Sequence, residues 1–116
     1  MSDDRRSERR RLVQAIEADV QQTRAQTGFA RLEPRIREAL LEVPRHRFVT
    51  RDQADRAYVN RALGIGHGQT ISQPFIVALM TQLLDPKPGD RILEVGTGSG
   101  YQMAILAAIG ATVYGI

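Results

Sequence analysis

The sequence lacks cysteine, has a single lysine and contains no long apolar segment. Without cysteine, a disulfide scaffold, a cysteine-ligated zinc site and a thiol nucleophile are all excluded. No apolar run approaches the ~18–20 residues that span a bilayer, so a transmembrane helix is not expected. Residues 1–11 contain no apolar segment of the signal-peptide kind, and we therefore expect a cytoplasmic protein.

Aromatic residues are also scarce, with three phenylalanines, three tyrosines and no tryptophan. The net charge is +3, and a basic cluster over residues 5–11 could indicate a nucleic-acid partner. Acidic residues are interleaved with these arginines, and no aromatic residue precedes Phe29 to stack on a base. We therefore favour a solvated, partly salt-bridged helix face, and a nucleic-acid partner is not expected.

The 116 residues are enough for one domain. Apolar residues at helical spacing predict an amphipathic helix over residues 3–26, capped by Ser2 or Asp3 and closed by Gly28. A second helix is predicted to begin near Pro34. Its predicted buried stripe consists of Leu32, Ile36, Leu40 and Val43.

The next segment contains both irregular and helical patterns. Irregular apolar spacing over residues 44–63 predicts short turns and loops. Three glycines within residues 64–68 argue against a long helix or a central strand. Ser72 is predicted to cap the following helix, with Pro74 in its first turn. The stripe predicted to bury that helix consists of Phe75, Ile76, Leu79, Met80, Leu83 and Leu84.

The last segment has the pattern of a βαβ unit. Residues 91–95 predict a short buried strand, residues 96–100 a tight glycine loop and residues 101–109 a helix, and a second strand begins at Thr112. This order is typical of the start of a doubly wound α/β sheet. Two parallel strands leave both sheet edges open, so we expect these residues to be the front part of a longer chain.

Glycines at positions 96, 98 and 100 form the loop with the clearest chemical meaning. The dinucleotide fingerprint would need its third glycine where this chain has Tyr101, and the lysine of a P-loop is absent. Such a loop lets a ligand approach the main chain, and the helix behind it offers N–H groups to a carboxylate. The charge of Glu94 would repel a pyrophosphate but suit an amino group and a sulfonium, as in S-adenosylmethionine. A tight turn that binds no ligand is the alternative.

Three separated motifs resemble the protein-L-isoaspartate O-methyltransferase family. They are residues 43–49 (VPRHRFV), residues 66–74 (GHGQTISQP), and residues 87–90 (KPGD) with residues 94–102 (EVGTGSGYQ). The resemblance covers residues 30–116 and implies the Rossmann-like, doubly wound α/β fold of S-adenosylmethionine-dependent methyltransferases, incomplete here and preceded by a helical region. The implied divisions are a helical arm (1–30), a helical and loop part (31–85) with an active-site loop (64–74), and a truncated first βαβ unit (86–116).

The resemblance also implies an activity, protein repair. Family members transfer a methyl group from S-adenosylmethionine to the free carboxylate of L-isoaspartyl residues in damaged proteins and peptides. The ester then collapses to a succinimide that partly reopens to normal aspartate. Ser72 would be the catalytic residue and would hold one carboxylate oxygen, with helix capping as its alternative role. The residues implied to bind the cofactor are Gln69, Thr70, Ile71, Ser72, Glu94, Gly96, Thr97, Gly98 and Gly100.

The sequence leaves the roles of several other residues undecided. Tyr101 either packs over the cofactor or belongs to the core. His46 and His67 lie far apart without an acid at ligand spacing, so no metal is expected. In such folds an acid at the end of the second strand binds the ribose, and here the strand stops at Ile116, so we expect the 116 residues alone to be inactive or nearly so. The alternatives are a basic nucleic-acid-binding protein with a methyltransferase-like fold and a non-catalytic remnant.

Overall fold

The computed structural model describes residues 5–116. Within this range the chain forms five α-helices and two two-stranded sheets. The helices are α1 (Arg6–Gln22), α2 (Arg24–Thr27), α3 (Pro34–Glu42), α4 (Pro74–Leu84) and α5 (Tyr101–Ile109). The strands are β1 (Leu63–Gly66), β2 (Gln69–Ile71), β3 (Arg91–Glu94) and β4 (Thr112–Gly115). Two 3-10 turns, Arg45–Arg47 and Arg51–Arg56, lie where the irregular spacing predicts turns.

The helix predicted over residues 3–26 is interrupted near its end. The Thr23 hydroxyl donates to the Asp19 main-chain oxygen at 2.7 Å, and α2 begins at the next residue. Gly28 adopts a left-handed conformation with φ of 83° and ends α2, as predicted. The predicted caps Ser2 and Asp3 lie outside the described residues.

The arginine-rich face of α1 is partly salt-bridged, as predicted. Arg5 Nε lies 2.6 Å from Glu8 Oε2 on the first turn. Arg9 differs, because its side chain is only 3% exposed and its Nε donates to the Leu41 main-chain oxygen at 2.7 Å. This helix is therefore docked on α3 through a buried cation as well as through apolar side chains.

One hydrophobic core joins the N-terminal helices to the βαβ unit. The stripe predicted for α3 is buried throughout, and α3 itself packs against both α1 and α5. The core residues of α1 are Leu12, Val13, Ile16 and Val20, and those of α4 and α5 include Val77, Ala78, Tyr101, Ile105 and Ile109. Because the core is continuous, the elements that carry the glycine loop and the Ser72 segment are held in a fixed relation.

The glycine-rich segment 64–68 forms a hairpin that the sequence pattern did not predict. Strands β1 and β2 pair antiparallel, with Leu63 opposite Ile71. The connection passes through Gly66, His67 and Gly68, which all have positive φ values of 97°, 55° and 70°. Glycine tolerates this conformation without strain and produces the tight turn. The hairpin ends immediately before Ser72.

The structure corrects the predicted cap of α4. Gln73 rather than Ser72 occupies the N-cap position, and no side-chain hydrogen bond caps the helix there. Pro74 at the first helical position explains the difference, because the residue before a proline is held in an extended conformation. Ser72 therefore lies outside the helix, with its side chain exposed.

The predicted buried stripe of α4 is wrong for four of its six residues, because Ile76, Met80, Leu83 and Leu84 are exposed, whereas Phe75 packs against the core. The buried face is formed by Val77, Ala78 and Thr81. In contrast, Met80 and Leu83 are 61% and 63% exposed. The apolar pattern alone could not distinguish the two faces, because nearly every position of this helix is apolar.

The βαβ unit is confirmed, and its boundaries agree closely with those predicted. Strands β3 and β4 pair in parallel, with Glu94 opposite Gly115, and α5 crosses between them and packs against β4. The prediction of a buried strand over residues 91–95 is wrong, because Leu93 in β3 is 61% exposed and Val95, which follows β3, is 75% exposed. A parallel sheet needs covering layers on both faces, and residues 5–116 cover one of them. Over the same residues, no helix is long and apolar enough to cross a membrane.

Candidate functional site

The glycine loop connects β3 to α5 and folds over the end of β4. Gly96, Gly98 and Gly100 all have positive φ values, of 76°, 57° and 88°. The main-chain N–H of Gly96 donates to the Ile116 oxygen at 3.0 Å, and that of Gly100 donates to the Thr97 oxygen at 3.1 Å. These bonds fix a sharp turn that ends at the N-terminus of α5, where the Tyr101 N–H donates to Ser99 Oγ at 3.2 Å. The N–H groups of a first helical turn have no acceptor within the helix and favour an anion.

Glu94, the last residue of β3, carries a carboxylate with an unmet hydrogen-bonding capacity. Its Oε1 atom is buried and has no hydrogen-bond partner among residues 5–116. Burial raises the pKa of the Glu94 carboxyl above its usual range. A cationic donor placed beside Oε1 would supply the missing hydrogen-bond partner, and its charge would favour the ionised form of Glu94.

The segment that carries Ser72 is anchored from two sides. The Ser72 main-chain oxygen accepts a hydrogen bond from Arg45 Nη2 at 3.0 Å. The Gln73 side-chain amide donates to the Asn60 main-chain oxygen at 3.0 Å, and the Phe75 N–H donates to Asn60 Oδ1 at 3.0 Å. The segment between β2 and α4 is therefore held by contacts that leave the Ser72 hydroxyl at the surface.

These features meet at one cavity of about 630 Å³, a size typical of small-molecule sites. The predicted site residues that line it are Thr70, Ile71, Ser72, Glu94, Gly96, Thr97 and Gly98. Its apolar side is formed by Met80, Leu83 and Leu84 of α4. Motifs that are separated by more than twenty residues in the sequence are thus brought to the same space.

Two of the predicted cofactor residues do not line this cavity. Gln69 begins β2 and is exposed. Gly100 lies on the other side of the loop, where an added Cβ would be 3.9 Å from the Phe48 ring. In this position Gly100 serves the turn itself, since it is the left-handed N-cap residue of α5.

The cavity also contains a polar pair that the sequence reasoning missed. Gln102 Nε2 on α5 donates to Thr81 Oγ1 on α4 at 2.9 Å, and both residues line the cavity. The Thr81 hydroxyl in turn donates to the Val77 main-chain oxygen at 2.7 Å. Thr81, a polar residue within the apolar sequence of α4, is the feature of the sequence that could have indicated this pair. The pair links the helix behind the glycine loop to the helix that follows Ser72.

Tyr101 belongs to the core and also lines the cavity, so neither of the two roles that the sequence left open for it is excluded. Its side chain is 2% exposed, its ring packs edge-on against Phe48 at 5.7 Å, and the Arg45 guanidinium lies 4.8 Å from its centroid. Burial raises the pKa of Tyr101 to about 12. His46 and His67 belong to no group of three metal-ligating side chains, a finding that applies to residues 5–116.

Known proteins resemble this chain over most of its length. Residues 16–115 match the model of the family described as protein-L-isoaspartate(D-aspartate) O-methyltransferase. A protein-L-isoaspartate O-methyltransferase 2 of Polaromonas sp. strain JS666 is 54% identical over 105 residues, which are 90% of this chain and 50% of that protein. A protein-L-isoaspartate O-methyltransferase 1 of Cupriavidus necator is 52% identical over 105 residues, which cover 90% of this chain and 40% of that protein. The chain thus spans half or less of these relatives' length.

Solved structures agree with the family match. A protein-L-isoaspartate O-methyltransferase chain superposes with a TM-score of 0.74 at 26% identity, over 92% of this chain and 33% of that one. A Plasmodium falciparum structure, described as a complex with S-adenosyl-L-homocysteine, superposes with a TM-score of 0.69 at 24% identity, over 98% of this chain and 49% of that one. The predicted Rossmann-like methyltransferase fold is confirmed, and the chain belongs to the protein-L-isoaspartate(D-aspartate) O-methyltransferase family.

Proposed function

We propose that residues 1–116 supply the methyl-donor site and the catalytic loop of a protein-L-isoaspartate O-methyltransferase. The reaction transfers a methyl group from S-adenosylmethionine to the free carboxylate of an L-isoaspartyl residue in a damaged protein or peptide. One observation carries the proposal: Glu94 with the glycine loop, from one motif, and Ser72, from another, line the same cavity. Membership of the family supplies the substrate class.

The residues of the cavity fit S-adenosylmethionine, the methyl donor of the family. Glu94 Oε1 is a buried acceptor without a partner within residues 5–116, and an ammonium group would satisfy it. The start of α5 offers main-chain N–H groups to a carboxylate. A Cβ added at Gly96 would meet no atom within 4 Å, so the space beside the loop is open to a ligand. When bound, the donor supplies a methyl group on a positively charged sulfur.

The role proposed for this chain is alignment rather than acid–base chemistry. An isoaspartyl carboxylate is already ionised at neutral pH, because carboxyl groups of this kind have an unperturbed pKa of about 4, so no proton has to move. The Ser72 hydroxyl donates to one carboxylate oxygen and leaves the other to attack the methyl carbon. The new O–C bond forms as the C–S bond breaks, and the bonding electrons remain on sulfur. Proximity and orientation supply roughly 7–11 kcal/mol in favourable cases.

Three narrower proposals accompany this function. We expect the 116 residues alone to be inactive or nearly so, because they span half or less of the relatives and leave Leu93 and Val95 uncovered. The reaction as written requires no metal, and added chelator should leave it unchanged. The proposed location is the cytoplasm, which immunoblotting of cell fractions would test.

The proposal can be tested with a chimera in which residues 1–116 replace the matching segment of the Polaromonas relative. Two peptides of one sequence, one with L-isoaspartate and one with normal aspartate, are incubated with the chimera and methyl-labelled S-adenosylmethionine. We expect label on the isoaspartyl peptide only, and loss of most of that labelling in the Ser72→Ala variant. Equal labelling of both peptides would refute the proposed substrate class. Full activity of Ser72→Ala would refute the role of Ser72.

A further inference from the structure

Arg45 is a fully buried cation at the centre of the Ser72 segment. Its side chain is 0% exposed, although it begins a short 3-10 turn. Its hydrogen bonds within residues 5–116 go to three main-chain oxygens, those of Ala57 at 2.8 Å, Arg61 at 3.4 Å and Ser72 at 3.0 Å. The guanidinium therefore joins its own turn to residues 57–61 and to Ser72.

This arrangement is energetically expensive for a residue that serves packing alone. Removing a guanidinium from water is unfavourable, and desolvation lowers the pKa of Arg45. Main-chain oxygens and the face of the Tyr101 ring, 4.8 Å away, provide only partial compensation. Nη1 is buried and has no hydrogen-bond partner in the described part of the chain. The Arg45 side chain thus reaches three main-chain oxygens, although Nη1 is left without a hydrogen bond to the described residues.

The Ser72 oxygen is the most informative of the three partners. Ile71 ends β2 and Pro74 begins α4, so only Ser72 and Gln73 connect the two elements. Asn60 holds the α4 side of this link through the Gln73 side chain and the Phe75 N–H. Arg45 holds the other side through the carbonyl of Ser72 itself. The carbonyl and the Cα of Ser72 lie in the same peptide plane, so a shift of that plane after loss of the Arg45 bond would displace the Ser72 Cα and the side chain that it carries.

We propose that Arg45 is a positioning residue for the methyl-transfer reaction, and that its bond to the Ser72 main-chain oxygen fixes the place of the Ser72 backbone from which the hydroxyl reaches the substrate. This inference rests on the proposed function, in which Ser72 orients the substrate carboxylate. The fork geometry of the guanidinium allows Nε and Nη2 to reach different carbonyls at once. A lysine at this position keeps the charge but cannot reproduce that geometry.

The chain offers a matched control in Arg9. Arg9 is also buried, at 3% exposed, and its Nε also donates to a main-chain oxygen, that of Leu41 at 2.7 Å. Its Nη1 donates to Tyr58 Oη at 3.2 Å, and both of these partners lie outside the Ser72 segment. Arg9→Met and Arg45→Met each remove one buried guanidinium, so they separate loss of stability from misplacement of Ser72.

The test compares Arg45→Met, Arg45→Lys and Arg9→Met in the chimera at a temperature where each is folded. The three readouts are the melting temperature, the dissociation constant of S-adenosyl-L-homocysteine by calorimetry, and kcat and KM for the L-isoaspartyl peptide. We expect both Arg45 variants to lower kcat/KM by about 10²-fold, the scale of a misplaced reacting group. Arg9→Met should lose stability with kcat/KM nearly unchanged. The dissociation constant should change much less than kcat/KM in the Arg45 variants, because Arg45 itself lies outside the cavity and reaches it only through Ser72 and Tyr101, and it should stay unchanged in Arg9→Met.

Several results would overturn the inference. Equal kcat/KM in the Arg45 and Arg9 variants would assign Arg45 to stability alone, as would full rescue by Arg45→Lys. If Arg45→Met does not fold, Arg45→Lys still decides, with hydrogen exchange as the second readout. We expect faster exchange in residues 72–76 and unchanged exchange in residues 101–109, and unchanged exchange in both would also reject the inference. An unmutated chimera without methyl transfer would instead reject the proposed function.

Discussion

Gly115 provides a sharp test of how the glycine loop is supported. It is the last residue of β4 and lies beside the loop, although its own φ is not in the left-handed region. An alanine Cβ at this position would collide with Thr97 Oγ1 and would lie 2.5 Å from Met103 Cε and 3.3 Å from Thr97 Cβ. The Met103 side chain can move aside, since the contact is with its flexible end. Thr97 cannot move as freely, because its N–H is bonded to the Ile116 oxygen at 3.4 Å.

The expected magnitude follows from overpacking. Inserting extra atoms into a well-packed core costs about 1–3 kcal/mol. Because Gly115 is exposed and both Thr97 and Met103 are half-buried, we expect a cost at the lower end, about 1 kcal/mol. In a chain of roughly this length, each kcal/mol lowers the melting temperature by about 4 °C or more. Because Thr97 lines the cavity, the displaced loop should also bind S-adenosyl-L-homocysteine more weakly. Both effects are measurable, the first by thermal denaturation and the second by calorimetry.

Gly64 is the matched control for this substitution. It lies in β1, and an added Cβ would meet no atom within 4 Å. Gly64→Ala should leave the melting temperature unchanged or raise it, because alanine restricts the unfolded chain by about 0.4–1 kcal/mol. If Gly115→Ala melts at the same temperature as Gly64→Ala and binds the ligand equally well, the packing of Thr97 on β4 does not support the loop.

Three further predictions concern single side chains. Glu94→Gln should weaken binding of S-adenosyl-L-homocysteine and should stabilise the ligand-free chain at neutral pH. The reason for the second effect is that the raised pKa of Glu94 makes its ionised form unfavourable in the fold, and a decrease in stability would contradict it. Tyr101 has a pKa of about 12 against its ordinary 10.0, so about 3 kcal/mol of the free energy of unfolding should be lost as the pH rises from 10 to 12. Tyr101→Phe should remove that pH dependence from the denaturation curves. Thr81→Val deprives Gln102 of its partner and should weaken ligand binding, whereas equal binding would show that the pair is not part of the site.

The sequence predicted the elements best where local chemistry decides the conformation. Gly28 ends its helix, Pro34 begins another, and the spacing of glycines 96, 98 and 100 predicted the turn before α5. These features depend on the backbone preferences of single residues, which no distant contact has to supply. The parallel pairing of β3 and β4 followed from the βαβ order in the same way.

Prediction failed where burial depends on what covers a surface. The apolar residues of α4 allow more than one buried face, and the contacts with α1 and α3 select Val77 and Ala78 rather than Met80 and Leu83. The buried guanidinium of Arg45 could not be foreseen either. Its partners are main-chain oxygens, which leave no trace in the pattern of side chains. The cap of α4 moved by one residue because Pro74 imposes its own geometry on Gln73.

In the candidate site too, the identity of the residues was predictable from the sequence, whereas their packing was not. The pattern of residues pointed to Glu94 and the glycine loop, and the family resemblance pointed to the Ser72 segment. The fold places seven of the nine residues implied to bind the cofactor around one cavity. The spacing could not show that Gly100 faces Phe48 or that Gln69 is exposed on the hairpin. It also gave no distance between the motifs, because that distance depends on the packing of α3 against α5.

The central claim is that the cavity serves repair of isoaspartyl residues, and the most direct measurement follows the peptide rather than the methyl label. An L-isoaspartyl peptide is incubated with the chimera and S-adenosylmethionine, and chromatography resolves the isoaspartyl, succinimide and normal aspartyl forms over time. Methylation followed by succinimide formation predicts a steady rise of the normal aspartyl peptide that requires both the methyl donor and Ser72. Methylation of the normal aspartyl peptide, or consumption of the donor without any aspartyl product, would contradict the account.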